Sequence, residues 1–180
     1  FALYCVHKGY LAENPIAKIP KHKIHKSRAT AETLTADQAQ ALMAFLETYS
    51  GPAGRRAALQ PKGFLVPFFA LALFAGIRPD WKNGEISKLL PRDLDFRTGV
   101  IRIEPGTSKV NERRTIKIQP NLRAWLEQYP LEQYSQIPPK NADRVLREIR
   151  QQFNLGHDVL RHTYISMTVG AFRSVGDASL

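Results

Sequence analysis

The feature that most constrains this chain is an apolar run over residues 64–77. It is shorter than the ~20 residues a membrane span needs, so it reads as a helix buried in a protein core. Pro67 is tolerated only near the first turn, which sets where that helix begins. Gly76 accepts the left-handed backbone that ends a helix, and Pro79 drives its predecessor out of helical conformation. Arg78 is therefore expected just beyond a buried helix end, on a stiff platform. That is a place where a charge can be held still.

The rest of the chain reads as short elements around this helix. Thr35 and Gln38 have the spacing of a capping box, in which each side chain satisfies the other residue's backbone N–H. Leu42, Met43, Phe45, Leu46 and Tyr49 then supply an apolar stripe at helical spacing. Residues 51–63 read as a loop and residues 85–90 as a short helix. Leu94 with Phe96, Val100 and Ile101 with Ile103, and Ile116 with Ile118 mark three short strands. A turn at Thr98 and Gly99 joins the first two, and a longer loop over 105–112 joins the last two. Helices follow at about 121–129, 141–153 and 158–170. The expected fold class is mainly α with a small three-stranded antiparallel β-sheet, an α+β domain. Residues 1–13 are expected to be helical, with Leu3, Val6, Tyr10 and Leu11 on a partial apolar face. That piece is too short to fold alone, so it reads as the last helix of a preceding domain.

Charge narrows the choice of partner. Lys and Arg number 26 against 16 Asp and Glu, a formal net charge of +10. Such a surplus favours a polyanion, with nucleic acid the usual one. The cations are dense in 14–31, which holds Lys18, Lys21, Lys23, Lys26 and Arg28, two prolines and no acid. This segment reads as an interdomain linker that can lie along phosphates as a basic strap; the plainer alternative is a solvated tether. The lone cysteine, Cys5, excludes an internal disulfide. No signal peptide or lipidation motif is evident. No phosphate-cradling glycine loop points to a nucleotide. His157 and His162 lack a third ligand nearby, which argues against zinc.

Breaking a phosphodiester requires positive charge fixed on the non-bridging oxygens, and arginine's planar fork suits that task. The leaving oxygen also needs a proton donor, for which lysine or histidine can serve. Ala75-Gly76-Ile77-Arg78-Pro79 followed by Glu85-Ile86-Ser87-Lys88-Leu89 resembles the first arginine motif of the tyrosine recombinase (phage integrase) family. The strands flanking Lys109, the last opened by Arg114, are similar to the family's β-hairpin, whose loop carries a catalytic lysine. Asp158-Val159-Leu160-Arg161-His162-Thr163 resembles the second arginine motif. Taken singly, Arg78 reads as a surface arginine and Lys109 as a loop lysine; the order of the three motifs is what is specific.

The resemblance implies a DNA breaking-rejoining catalytic domain over 32–180, truncated before its C-terminus. The basic linker over 14–31 and the last helix of a core-binding domain over 1–13 would precede it. Arg78 and Arg161 would clamp the scissile phosphate and Lys109 would protonate the leaving 5′ oxygen. Glu85 would orient the first arginine, and His162 would stand behind the second. Arg114 joins Lys18, Lys21, Lys23, Lys26 and Arg28 as an expected DNA contact. The implied activity is site-specific DNA recombination or integration through a 3′-phosphotyrosyl intermediate. It would serve phage or another mobile element in a prokaryotic cytoplasm. The full-length enzyme would act as a tetramer on double-stranded DNA, without metal, cofactor, nucleotide or membrane. The alternatives are a type IB topoisomerase and a non-catalytic DNA-binding protein on the same fold.

Two departures stand out. The family usually places His or Lys three residues before its second arginine; Asp158 is there instead, and His157 is one residue early, about 100° around a helix. His157 is a candidate for a direct role from an unwound helix start, and Asp158 a candidate helix cap. The family's nucleophilic tyrosine is also missing. Nineteen residues follow Arg161, and their one tyrosine, Tyr164, continues the apolar face of Leu160 and Met167. This fragment is therefore expected to bind DNA without cleaving it.

Overall fold

The computed structural model of the chain describes residues 1–15, 17, 32–51, 60–79, 84–106, 112–134, 142–156 and 158–172. The chain divides into two units, Phe1–Thr30 and Ala31–Leu180. In the first, helix α1 (Ala2–His7) is shorter than the expected 1–13. Gly9 stops it, with a left-handed φ of 73°. Leu3 and Tyr10, expected on one apolar face, are both largely exposed. Lys18, Lys21, Lys23, Lys26 and Arg28 lie outside the described residues.

The second unit begins with α2 (Ala36–Thr48) and the expected capping box. The Gln38 N–H donates to Thr35 Oγ1 at 3.2 Å, and the Thr35 N–H donates to Gln38 Oε1 at 2.9 Å. Leu42, Met43 and Leu46 are buried, while Phe45 and Tyr49 pack at the edge of the core. Helix α3 (Val66–Ala75) carries Pro67 in its first turn and is buried on nearly every side. It packs against α2, α5 (Pro120–Gln128) and α7 (Val159–Phe172), which makes it the centre of the domain. Gly76 ends it at φ 63°, and Ile77 and Pro79 are buried on either side of Arg78. The platform expected for Arg78 is thus built by the glycine cap and two anchored neighbours.

Helix α4 (Glu85–Lys88) stops before the expected residue 90, because Leu89 turns extended ahead of a 3₁₀ turn at Pro91–Asp93. Strands β1 (Leu94–Asp95), β2 (Val100–Ile103) and β3 (Arg114–Lys117) form an antiparallel sheet in that order. Ile101 stands opposite both Leu94 and Ile116, and Ile103 stands opposite Arg114. Paired residues in an antiparallel sheet point to the same face. Arg114 therefore shares the inner face with Ile101, Ile103 and Ile116, which are all buried. The register, rather than any local preference, turns this arginine inward.

Helices α5, α6 (Ala142–Gln152) and α7 complete the domain. Leu122 and Leu126 of α5, and Val145, Leu146 and Ile149 of α6, face the core. Thr163, fully buried in α7, donates its hydroxyl to the Val159 carbonyl at 2.7 Å. The same oxygen accepts the Leu34 N–H at 2.8 Å, fastening the segment that enters α2 to α7. The architecture is a mainly helical α+β domain with one small three-stranded antiparallel sheet. No helix among the described residues is long and apolar enough to cross a membrane.

Candidate functional site

Four elements bring charged side chains together. Arg78 follows the capped end of α3, Glu85 opens α4, Arg114 opens β3, and Arg161 lies in the first turn of α7. Glu85 is the hub. Its Oε2 accepts the Arg78 backbone N–H at 3.3 Å. Its two oxygens accept Arg114 Nη1 at 2.9 Å and Nη2 at 2.7 Å. This is a bidentate fork with charge-assisted geometry, and it is nearly dry: the side chains are 18% and 6% exposed for Arg114 and Glu85. Arg114 Nε is buried and has no hydrogen-bond partner among the described residues.

Arg161 completes the group. Burial pulls the pKa of its guanidinium below the ordinary value, and the positive charge of Arg78 pulls it further. Glu85 opposes this, Arg114 adds to it, and Asp158 opposes it. Arg78 and Arg114 thus each lie close enough to Arg161 for their charges to act on it in a partly desolvated setting, with Glu85 and Asp158 as counter-charges. A guanidinium stays protonated under such stress. The repulsion is relieved by an anion, so the arrangement favours a bound oxyanion.

Glu85 does reach Arg78, across the extra sequence that separates them, through the Arg78 backbone N–H; the same carboxylate takes both terminal nitrogens of Arg114. Arg114, read from the sequence as a DNA contact, is an inward-facing partner of Glu85. The signal was present in the alternation of Arg114 with Ile116 and Ile118, which shares the parity of a buried strand face. Asp158 accepts the His162 N–H through its carbonyl at 2.9 Å, so it does sit where α7 begins. Its φ of 59° is left-handed, a conformation Asp adopts more readily than most residues. His162 is half-buried beside Arg161, and Tyr164 is buried in the core. Lys109 and His157 lie outside the described residues. The roots of the Lys109 segment are described: Lys88 Nζ donates to the Gly106 carbonyl at 3.1 Å, while Glu85 holds Arg114. Helix α4 therefore grips the chain on both sides of that segment.

Among the described residues no three His, Cys, Asp or Glu side chains gather as a metal site. No protein-family model, curated protein or solved structure matches this chain.

Proposed function

We propose that this chain carries the phosphate-gripping site of a DNA-cleaving and rejoining enzyme of the tyrosine recombinase type, on that family's DNA breaking-rejoining fold. The observation that carries the reading is that Arg78 and Arg161, 83 residues apart in the sequence, stand within electrostatic reach of one another, with Glu85 bonded to the Arg78 backbone and its charge acting on Arg161. Like charges gathered where water is scarce need an anion, and the net charge of +10 directs the choice to DNA. In the reaction a tyrosine oxygen, its proton lost to solvent, bonds to phosphorus as the bond to the 5′ oxygen breaks. The two arginines hold the non-bridging oxygens, and Lys109 gives the leaving oxygen its proton. The covalent intermediate keeps the bond energy for rejoining.

The test is covalent trapping of duplex DNA by the full-length gene product. Arg78→Ala and Arg161→Ala are expected to lower trapping about 100- to 1,000-fold, the scale on which one fixed transition-state donor acts. Wild-type trapping in either variant refutes the assignment.

One observation favours a second reading, a DNA-binding protein that does not cut. Asp158 stands where the resembled motif carries a base or cation, and its charge acts on Arg161. Salt-sensitive DNA binding by the full-length product without any covalent adduct would select that reading.

A further inference from the structure

We propose that the groove where α2, α3, α5 and α7 meet is a binding site for a small organic ammonium ion that carries an apolar group, with Glu47 as its counter-charge. The inference is independent of the phosphate-gripping reading: none of Arg78, Glu85, Arg114 and Arg161 lines this groove.

The groove has a volume of about 390 Å³. Small-molecule sites fall in the range of about 300–1,000 Å³, are mostly apolar, and carry a few polar groups that fix orientation. This one lies near the lower end, so its occupant is small. Helix α2 supplies Met43 and Glu47, α3 supplies Phe74, α5 supplies Trp125 and α7 supplies Met167. Both methionines of the chain therefore meet here. Thioether side chains are polarisable and unbranched, and they adapt to ligands of varied shape. Met43 is 2% exposed, whereas Met167 is 46% exposed. Phe74 and Trp125 are half-buried. The groove thus runs from a closed apolar floor to an open rim.

Charge decides the class of ligand. Lys and Arg number 26 in the chain, yet no described one lines the groove, and Glu47 is the one described charge that does. Its carboxylate is oriented from behind. Tyr129 donates its hydroxyl to Glu47 Oε1 at 3.3 Å, and the Tyr129 ring lies 6.2 Å from that of Trp125. No described lysine or arginine forms an ion pair with Glu47. The carboxylate therefore keeps capacity for a further donor beside an aromatic wall. A cation in that corner is attracted by the carboxylate and by the ring faces together. A neutral ligand gains only from burial, and an anion is repelled. The chain's surplus positive charge opposes a cation from a distance, and salt screens that effect beyond about 10 Å.

The experiment isotope-labels the methionine methyls of the whole chain and titrates benzylamine, then benzyl alcohol, a neutral molecule of the same size. Benzylamine is expected to move both methyl signals and to bind about three- to tenfold more tightly than the alcohol. Glu47→Gln keeps an acceptor for Tyr129 and should bring the two probes within about twofold of each other. Glu104→Gln, which removes a 46% exposed carboxylate beside Arg113, should keep the wild-type preference. Equal binding of the two probes by wild type overturns the inference. So does a preference that survives Glu47→Gln or disappears in Glu104→Gln. Ala44→Phe fills the groove from an exposed position and should abolish the shifts from both probes. Unaltered shifts in that variant place the probes elsewhere and overturn the inference too; it decides alone should Glu47→Gln not fold. Methyl signals that move on dilution of the chain and ignore benzylamine mean that a second copy fills the groove, and the inference falls.

Discussion

Glu85 and Arg114, 29 residues apart in sequence, share a two-bond fork whose members are 6% and 18% exposed. A pair this dry contributes little net stability, because desolvation offsets most of the attraction. Breaking it is another matter. Glu85→Ala strands a guanidinium in the interior and is expected to cost about 3–5 kcal/mol, read as a lower urea midpoint. Replacing the pair together, Glu85→Leu with Arg114→Met, should recover most of that loss. A single variant as stable as wild type would mean the fork is not held in solution.

Thr163 joins two ends of the domain. It takes the Leu34 N–H from 129 residues away while its own hydroxyl bonds back to Val159. Thr163→Val keeps the shape and removes the acceptor, leaving the Leu34 N–H unsatisfied. The expected cost is about 1–3 kcal/mol, with faster hydrogen exchange at the Leu34 amide. Unchanged exchange there would show that the bond does not hold the α2 entry.

Acid should loosen the β1–β2 hairpin. The Thr98 backbone N–H, at 3.0 Å, is the largest influence holding Asp95 below the usual carboxylate value of 3.8, at about 2. The Thr98 hydroxyl, Arg102 and the Arg97 N–H add to it. A carboxyl whose pKa falls on folding stabilises the folded state above its unfolded value and loses that contribution as pH falls through the folded one. The hairpin should therefore weaken between about pH 4 and pH 2. Hydrogen exchange at Gly99, whose N–H bonds the Asp95 carbonyl at 2.8 Å, reports it. Asp95→Asn should remove the acid-dependent part.

Under the proposed reaction, Lys109→Ala in the full-length product should slow cleavage of ordinary DNA about 100-fold or more, the scale of a lost general acid. A substrate with a 5′-sulfur leaving group needs no proton and should be cut at close to the wild-type rate. Equal slowing of both substrates would remove Lys109 as the proton donor.

How much of this was legible in advance depends on distance along the chain. The capping box at Thr35, the end of α3 at Gly76 and the stiff platform at Arg78 follow from interactions within about four residues, which a sequence displays directly. The buried α3 is equally plain, since a helix apolar on all sides has no solvent face to offer. α1 ran short of its expected length because the left-handed turn at Gly9 outweighed a weak apolar pattern.

What the sequence determined, then, was the set of elements and the supply of positive charge. Tertiary structure decided which charge meets which. Arg114 counts as one more cation in a basic chain until β-sheet register turns it inward to Glu85, and Thr163 is one more helical threonine until Leu34 arrives. Net charge is additive over residues and indifferent to order, whereas a hydrogen-bonded partner is chosen by position to within a few tenths of an ångström.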